Sequence, residues 1–136
     1  MGSITPKIAT ICLIEMNNYL SEASVVVRSR AQWFTPGKLA LDILKHLPEN
    51  VWEEGKTFLD PECGIGQMIV PAAIIKHELG HTEILSCIYG TEINEDNLVI
   101  CRRRLLDVCG HTDINIKQVR KNIVCTDSLT YDFEFS

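Results

Sequence analysis

The stretch Thr57-Phe58-Leu59-Asp60-Pro61-Glu62-Cys63-Gly64-Ile65-Gly66, continued by the apolar run from Gln67 to Leu79, decides the fold. A short apolar segment of strand character ends on a carboxylate, a turn with two glycines follows, and an apolar segment of helix length follows the turn. Glycine lets the chain turn tightly and lets a ligand lie close to the backbone. The order strand, loop, helix is the first part of a βαβ unit, whose next strand returns parallel to the first.

Working toward the C-terminus, Gly80 is the expected helix stop, and Ile84 to Tyr89 is a nearly continuous apolar run that suits a strand buried on both faces. That run leads into Gly90-Thr91-Glu92. Asn94 is placed to cap the next helix, with Asn97 at its third position and Leu98, Cys101, Leu105 and Val108 at apolar spacing up to Gly110. Ile123, Val124 and Cys125 then make a third short strand running to Asp127. Toward the N-terminus, Thr35 and Pro36 read as the cap and first residue of a helix whose Leu39, Ile43, Leu44 and Leu47 share one face until Pro48. The stretch Ile8 to Ile14 is apolar but short and lacks the small-residue cleavage site of a leader, so it reads as a docking helix. The expectation is an α/β fold: a βαβαβ half sheet of parallel strands within 31–136, preceded by an N-terminal helical segment, 1–30.

A hydrophobic content of 46% over 136 residues is enough to bury one core. Eighteen acidic against thirteen basic residues, a net charge of −5, argue against a chain that grips duplex DNA by itself. Arg102, Arg103 and Arg104 are a local exception, read here as a solvated helix face. No apolar run approaches the roughly 18 residues a transmembrane helix needs. Six cysteines without a C-x-x-C pair read as buried free thiols of a reducing cytoplasm.

Each expected strand finishes on an acid: Asp60, Glu92, Asp127. In open α/β sheets ligands bind outside the carboxyl ends of the strands, so these three acids converge on one crevice. Glu92 can accept hydrogen bonds from both hydroxyls of a ribose, Asp127 can accept one from an adenine amino group, and the turn after Asp60 can meet a ligand's amino-acid end. Plainer readings exist for each. Asp60 can be a helix cap, Glu92 a surface acid, and Asp127 with Ser128 simple turn chemistry. Cys63 can be a small side chain that fits the turn, and Trp33 and Phe34 can be core packing.

Together the motifs resemble the class I S-adenosylmethionine-dependent methyltransferases, specifically the N6-adenine DNA methyltransferases of restriction-modification systems and phages, over Ala31 to Phe135. Trp33-Phe34-Thr35-Pro36 matches that family's aromatic-Thr-Pro motif, which implies a hold on the methionine carboxylate. Asp60 to Gly66 matches Asp-Pro-x-Cys-Gly-x-Gly. Gly90-Thr91-Glu92-Ile93 matches the second strand end, and Asn122-Ile123 with Asp127-Ser128-Leu129 matches the third. The resemblance implies a Rossmann-like methyltransferase fold and S-adenosylmethionine as cofactor, held by Trp33, Phe34, Thr35, Pro36, Asp60, Pro61, Cys63, Gly64, Gly66, Glu92, Ile93, Asp127, Ser128 and Leu129.

It assigns no catalytic residue to this chain. The family's Asn/Asp-Pro-Pro-aromatic motif, which holds the flipped base after the next strand, does not occur in the sequence, so DNA is expected to be engaged only through a further segment or a partner subunit. In the family strand order 3-2-1-4-5-7-6 the first strand is internal. Its outer edge is therefore expected to be covered, by Ser24 to Arg28 with its three valines, by a second copy, or by a partner. The implied setting is cytoplasmic, without membrane attachment.

Two competitors stand beside this reading. One is a non-catalytic protein that binds S-adenosylmethionine for sequestration or regulation. The other is a zinc peptidase, because His77-Glu78-Leu79-Gly80-His81 matches H-E-x-x-H, in which two histidines one turn apart bind zinc and the glutamate serves as base. Against it, Gly80 and Thr82 look like a helix end, and the places of the extended motif's glycine and third histidine hold Ile84 and Cys87.

Overall fold

The computed structural model describes residues 3–22, 37–133 and 135. Three short strands, β1 (Phe58–Asp60), β2 (Ile88–Glu92) and β3 (Ile123–Cys125), form a parallel sheet in the order β1-β2-β3. Among the described residues five α-helices accompany them: α1 (Pro6–Glu22), α2 (Gly37–Lys45), α3 (Ile69–Glu78), α4 (Glu95–Cys109) and α5 (Asp113–Asn122). The mixed α/β architecture and the parallel βαβαβ order are those expected.

The register pairs Phe58 with Ile88, Asp60 with Gly90, Gly90 with Ile123 and Glu92 with Cys125, which puts these residues on one face and Leu59, Tyr89, Thr91 and Val124 on the other. On the first face Ile88 and Ile123 are buried in one core with Ile69, Leu98, Cys101 and Leu105. That core also takes Ile8, Cys12 and Met16 of α1. The second face is covered differently. Phe135 meets Tyr89 edge-on at 4.7 Å and stacks on Phe133 at 5.9 Å, and Phe133 meets Tyr131 at 4.9 Å. Leu59 stays partly exposed.

Helix α4 begins where Asn94 accepts the Asn97 backbone N–H at 3.1 Å and stops at Gly110, whose φ of 106° suits glycine. Helix α5 has no counterpart in the sequence reading. Thr112 caps it by accepting the Asn115 N–H at 3.1 Å, and the Asn115 amide bonds the carbonyls of Cys109 and Gly110, closing the turn between the two helices. Only Val119 and Asn122 of α5 are buried, so no long apolar stripe announces it.

Several local expectations are corrected. Ile84 to Ser86 is a 3₁₀ turn rather than strand, because both the N–H and the hydroxyl of Ser86 bond the Glu83 carbonyl and the Cys87 N–H bonds that of Ile84. In α2 the buried stripe is Gly37, Ala40, Leu41 and Leu44, while Leu39 and Ile43 are 50% and 44% exposed. The small Gly37 and Ala40 permit close approach to α1, with Met16 against Gly37. Strand β3 stops at Cys125. Beyond it the Asp127 carboxylate accepts the Leu129 N–H at 3.0 Å and the Asp127 carbonyl accepts the Thr130 N–H, which takes the backbone out of the ladder.

All six cysteines are free; Cys12, Cys63 and Cys101 are buried, but Cys125 is exposed. The helix start at Thr35 and Pro36 and the strand proposed at 24–28 lie outside the described residues. Among the described residues no strand pairs with the outer edge of β1, and no helix is long and apolar enough to cross a membrane.

Candidate functional site

The parallel register brings Asp60 and Glu92 to the same end of adjacent strands and onto the same face. Asp60 is half-buried, and its Oδ1 accepts the Glu62 N–H at 3.0 Å, shaping the start of the glycine turn. Burial holds the Asp60 carboxyl above its usual range, and the nearby charges of Glu62 and Glu92 push the same way. Glu92, also half-buried, uses Oε2 to accept the Asn94 N–H at 2.7 Å, which ties the strand end to the start of α4.

The glycine turn is fastened to β2. Cys63 N–H donates to the Thr91 carbonyl at 2.9 Å and the Thr91 hydroxyl donates to the Pro61 carbonyl at 2.6 Å. The turn comes so close to the strand that a Cβ on Gly90 would stand 3.1 Å from Cys63 Cβ and Ile69 Cδ1. This explains a glycine in the middle of a buried strand. Gly64 and Gly66 have φ of 56° and 101°, the region where glycine carries no steric cost, and the Gly66 N–H closes the turn on the Cys63 carbonyl at 2.8 Å. The Cys63 thiol is pushed up, first by its hydrogen bond with the Cys101 thiol and then by burial. It fills the space between turn, strand and α4.

Of the other expected contacts, Ile93 is 73% and Leu129 92% exposed, and Ser128 is half-buried. Asp127 is exposed two residues past β3, and the Thr126 N–H donates to the Glu92 carbonyl at 3.1 Å, so the third strand end is bonded to the second. Pro61 is exposed and Gly64 half-buried. Trp33, Phe34, Thr35 and Pro36 lie outside the described residues. Among the described residues the Asp60, Glu92 and Asp127 segments thus line one end of the sheet, with Asp127 engaged in its own turn.

The arginine cluster departs from the expected solvated face. Arg104 is fully buried and bonds Glu15, Ile65 and Gln67, while Arg102 donates from Nε and Nη2 to the Ile123 carbonyl at 2.9 and 2.5 Å. Only Arg103 is exposed. The signal lay in the spacing, since Arg104 stands three residues after Cys101 and beside Leu105, within the buried stripe. Thr91 was missed because nothing in the sequence marks a strand hydroxyl as bonding a turn carbonyl.

The H-E-x-x-H residues do not share a helical turn. Helix α3 ends at Glu78, Gly80 turns the chain with a φ of 81°, and His81 lies beyond it with a buried Nδ1, while His77 is exposed. Among the described residues no cluster of three or more His, Cys, Asp or Glu could hold a metal ion.

A parallel α/β sheet with a glycine turn and paired acids at its strand ends is the class of scaffold this geometry defines. The chain belongs to the N-6 DNA methylase family, whose model matches residues 15–135. It is 35% identical over 86 residues to the type II methyltransferase M.VspI of Vibrio sp. (strain 343), covering 63% of this chain and 19% of that protein. It is 30% identical over 74 residues to the rRNA N(6)-adenosine-methyltransferase metl-5 of Caenorhabditis elegans, covering 54% of this chain and 31% of that protein. The chain thus spans less than a third of the length of these curated relatives. No solved structure matches it.

Proposed function

We propose that the chain binds S-adenosylmethionine outside the carboxyl ends of β1, β2 and β3, on a Rossmann-like methyltransferase sheet, as the donor-binding part of an N6-adenine DNA methyltransferase. The observation that carries this is the placement of Asp60 and Glu92 at the same end and on the same face of the adjacent strands β1 and β2, with the glycine turn bonded down onto Thr91. The residues fit the cofactor. Glu92 has Oε2 engaged by Asn94 and offers Oε1 to the ribose hydroxyls, while exposed Ile93 and Leu129 offer apolar surface to the adenine ring. The turn from Asp60 to Gly66, with Pro61, Cys63 and Gly64, receives the amino-acid end, together with Trp33, Phe34, Thr35 and Pro36. Asp127 and Ser128 close the adenine side. A cationic sulfonium ligand suits a crevice walled by two acids.

When bound, the cofactor supplies an activated methyl group for direct displacement. Residues 31–136 form the binding domain and 1–30 the docking segment. The adenine pocket comes from a further segment or a partner subunit, because methylation of an extruded base needs a site that reads and stacks it. A cytoplasmic setting and a role in restriction-modification accompany this reading.

Calorimetry with S-adenosylmethionine and S-adenosylhomocysteine tests the proposal on the intact chain and on Asp60→Ala and Glu92→Ala. Saturable binding that both substitutions weaken supports it, and failure of the intact chain to bind either ligand overturns it. A methyl-transfer assay on duplex DNA is expected to give no product with this chain alone.

A further inference from the structure

Arg104 sits fully buried on α4. A buried guanidinium is costly unless its donors find acceptors, and these do. Nε donates to Glu15 Oε2 at 2.8 Å and Nη2 to Glu15 Oε1, a fork on one carboxylate of α1. Nη1 donates to the Ile65 carbonyl at 2.7 Å and to Gln67 Oε1 at 2.8 Å, both at the end of the glycine turn. One side chain therefore joins three segments far apart in sequence: α1, α4 and the turn.

Backbone bonds close this end locally, Gly66 N–H on the Cys63 carbonyl and Val70 N–H on the Gly66 carbonyl, and Arg104 is what ties it to α1 and α4. Gln67 is buried, and among the described residues its Nε2 has no hydrogen-bond partner, so the bond from Arg104 to Oε1 is what orients the amide. At Gly66 a Cβ would stand 3.6 Å from Arg104 Nη1, which puts the guanidinium directly against the turn from the core side.

We propose that Arg104, held in place by Glu15, is a positioning residue that fixes the shape in which the glycine turn receives the cofactor. The inference rests on the reading of the strand-end crevice as an S-adenosylmethionine site. Arg104 acts through Ile65 and Gln67 without reaching the ligand, and through Glu15 it couples the docking of α1 to cofactor affinity.

A purely structural ion pair would lower stability when broken and leave affinity unchanged in molecules that stay folded. The two roles separate in the intact chain when thermal midpoint and S-adenosylmethionine Kd are measured for Glu15→Gln, Arg104→Lys and the double variant Glu15→Met with Arg104→Met. Replacing a buried ion pair with apolar residues often preserves stability, so the double variant keeps the fold while losing both bonds to the turn. Its Kd is expected to rise about tenfold or more at temperatures well below its midpoint. Arg104→Lys is expected to raise Kd as well, because an ammonium cannot fork Glu15 and reach the turn together.

Folded double and lysine variants with wild-type Kd would overturn the positioning role while leaving the crevice reading intact. A wild-type chain that binds no S-adenosylmethionine would remove both. Should the double variant not fold, Glu15→Gln, which keeps the shape of the side chain, decides on the same criterion.

Discussion

Replacing Gly66 with alanine would put a Cβ 2.6 Å from Val70 Cγ2 and 3.2 Å from Cys101 Sγ, on a backbone whose φ is 101°. The positive φ costs a side-chain-bearing residue about 1–3 kcal/mol. Forcing a methyl group into a packed contact costs about 1–3 kcal/mol more. Together these remove about 2–6 kcal/mol, a large share of the stability of an ordinary domain. The two parts can be separated, because the 2.6 Å contact is with one methyl of Val70, a residue with no exposed surface. In a Val70→Ala background that methyl is gone, and Gly66→Ala should cost less, the backbone part of about 1–3 kcal/mol plus the milder contact with Cys101 Sγ. Urea unfolding of the wild type, both single variants and the double variant measures the difference directly. An equal cost of Gly66→Ala in both backgrounds would refute the contact with Val70. A cost below about 0.5 kcal/mol in the wild-type background would refute the turn geometry altogether.

Asp60→Asn is expected to stabilise the ligand-free chain at neutral pH while weakening cofactor binding. Because burial raises the folded-state pKa above 3.8, the folded state holds the proton more tightly than the unfolded state, and stability contributed by this group falls as pH rises from 3.8 through the folded pKa. The advantage of Asp60→Asn should therefore be largest above that window and shrink toward pH 3.8; an advantage that grows on acidification would contradict the cause assigned. Asn94→Ala removes the cap on α4 and should cost about 0.5–2 kcal/mol in urea unfolding, with no loss as the contrary result. In thiol labelling at about pH 8, exposed Cys125 should react first. Burial pushes the thiols of Cys12 up to about 12 and Cys109 up to about 11, and Cys63 is pushed up as well, so Cys12 and Cys63 should label only on unfolding. Rapid labelling of Cys63 in the folded chain would contradict its place beneath the turn.

The sheet was legible because its signals are local. An apolar run ending at Asp60, a glycine turn, and Asn94 with Gly110 bounding α4 are each decided by neighbours in sequence. The Ile84 to Ser86 turn was not, because its apolar composition suits a buried strand equally well, and what diverts it is Ser86 bonding the Glu83 carbonyl. Helix α5 escaped because it buries only Val119 and Asn122 and is held by caps rather than by a stripe. Arg104 was misplaced for the opposite reason. Three consecutive arginines read as a charged surface, and only the long-range partners Glu15, Ile65 and Gln67 make a buried position affordable. Asp60 and Glu92 were legible as a pair, whereas the bond from Thr91 to Pro61 that fastens the turn between them depends on a register no sequence pattern displays.

The most direct test of the central claim is a titration of the isotopically labelled chain with S-adenosylmethionine, followed through its backbone amide resonances. The account predicts saturable shifts concentrated at Asp60 to Gly66, Glu92 to Asn94 and Thr126 to Leu129. Absent shifts, or shifts confined to His77 to His81 and the far end of the sheet, would contradict it.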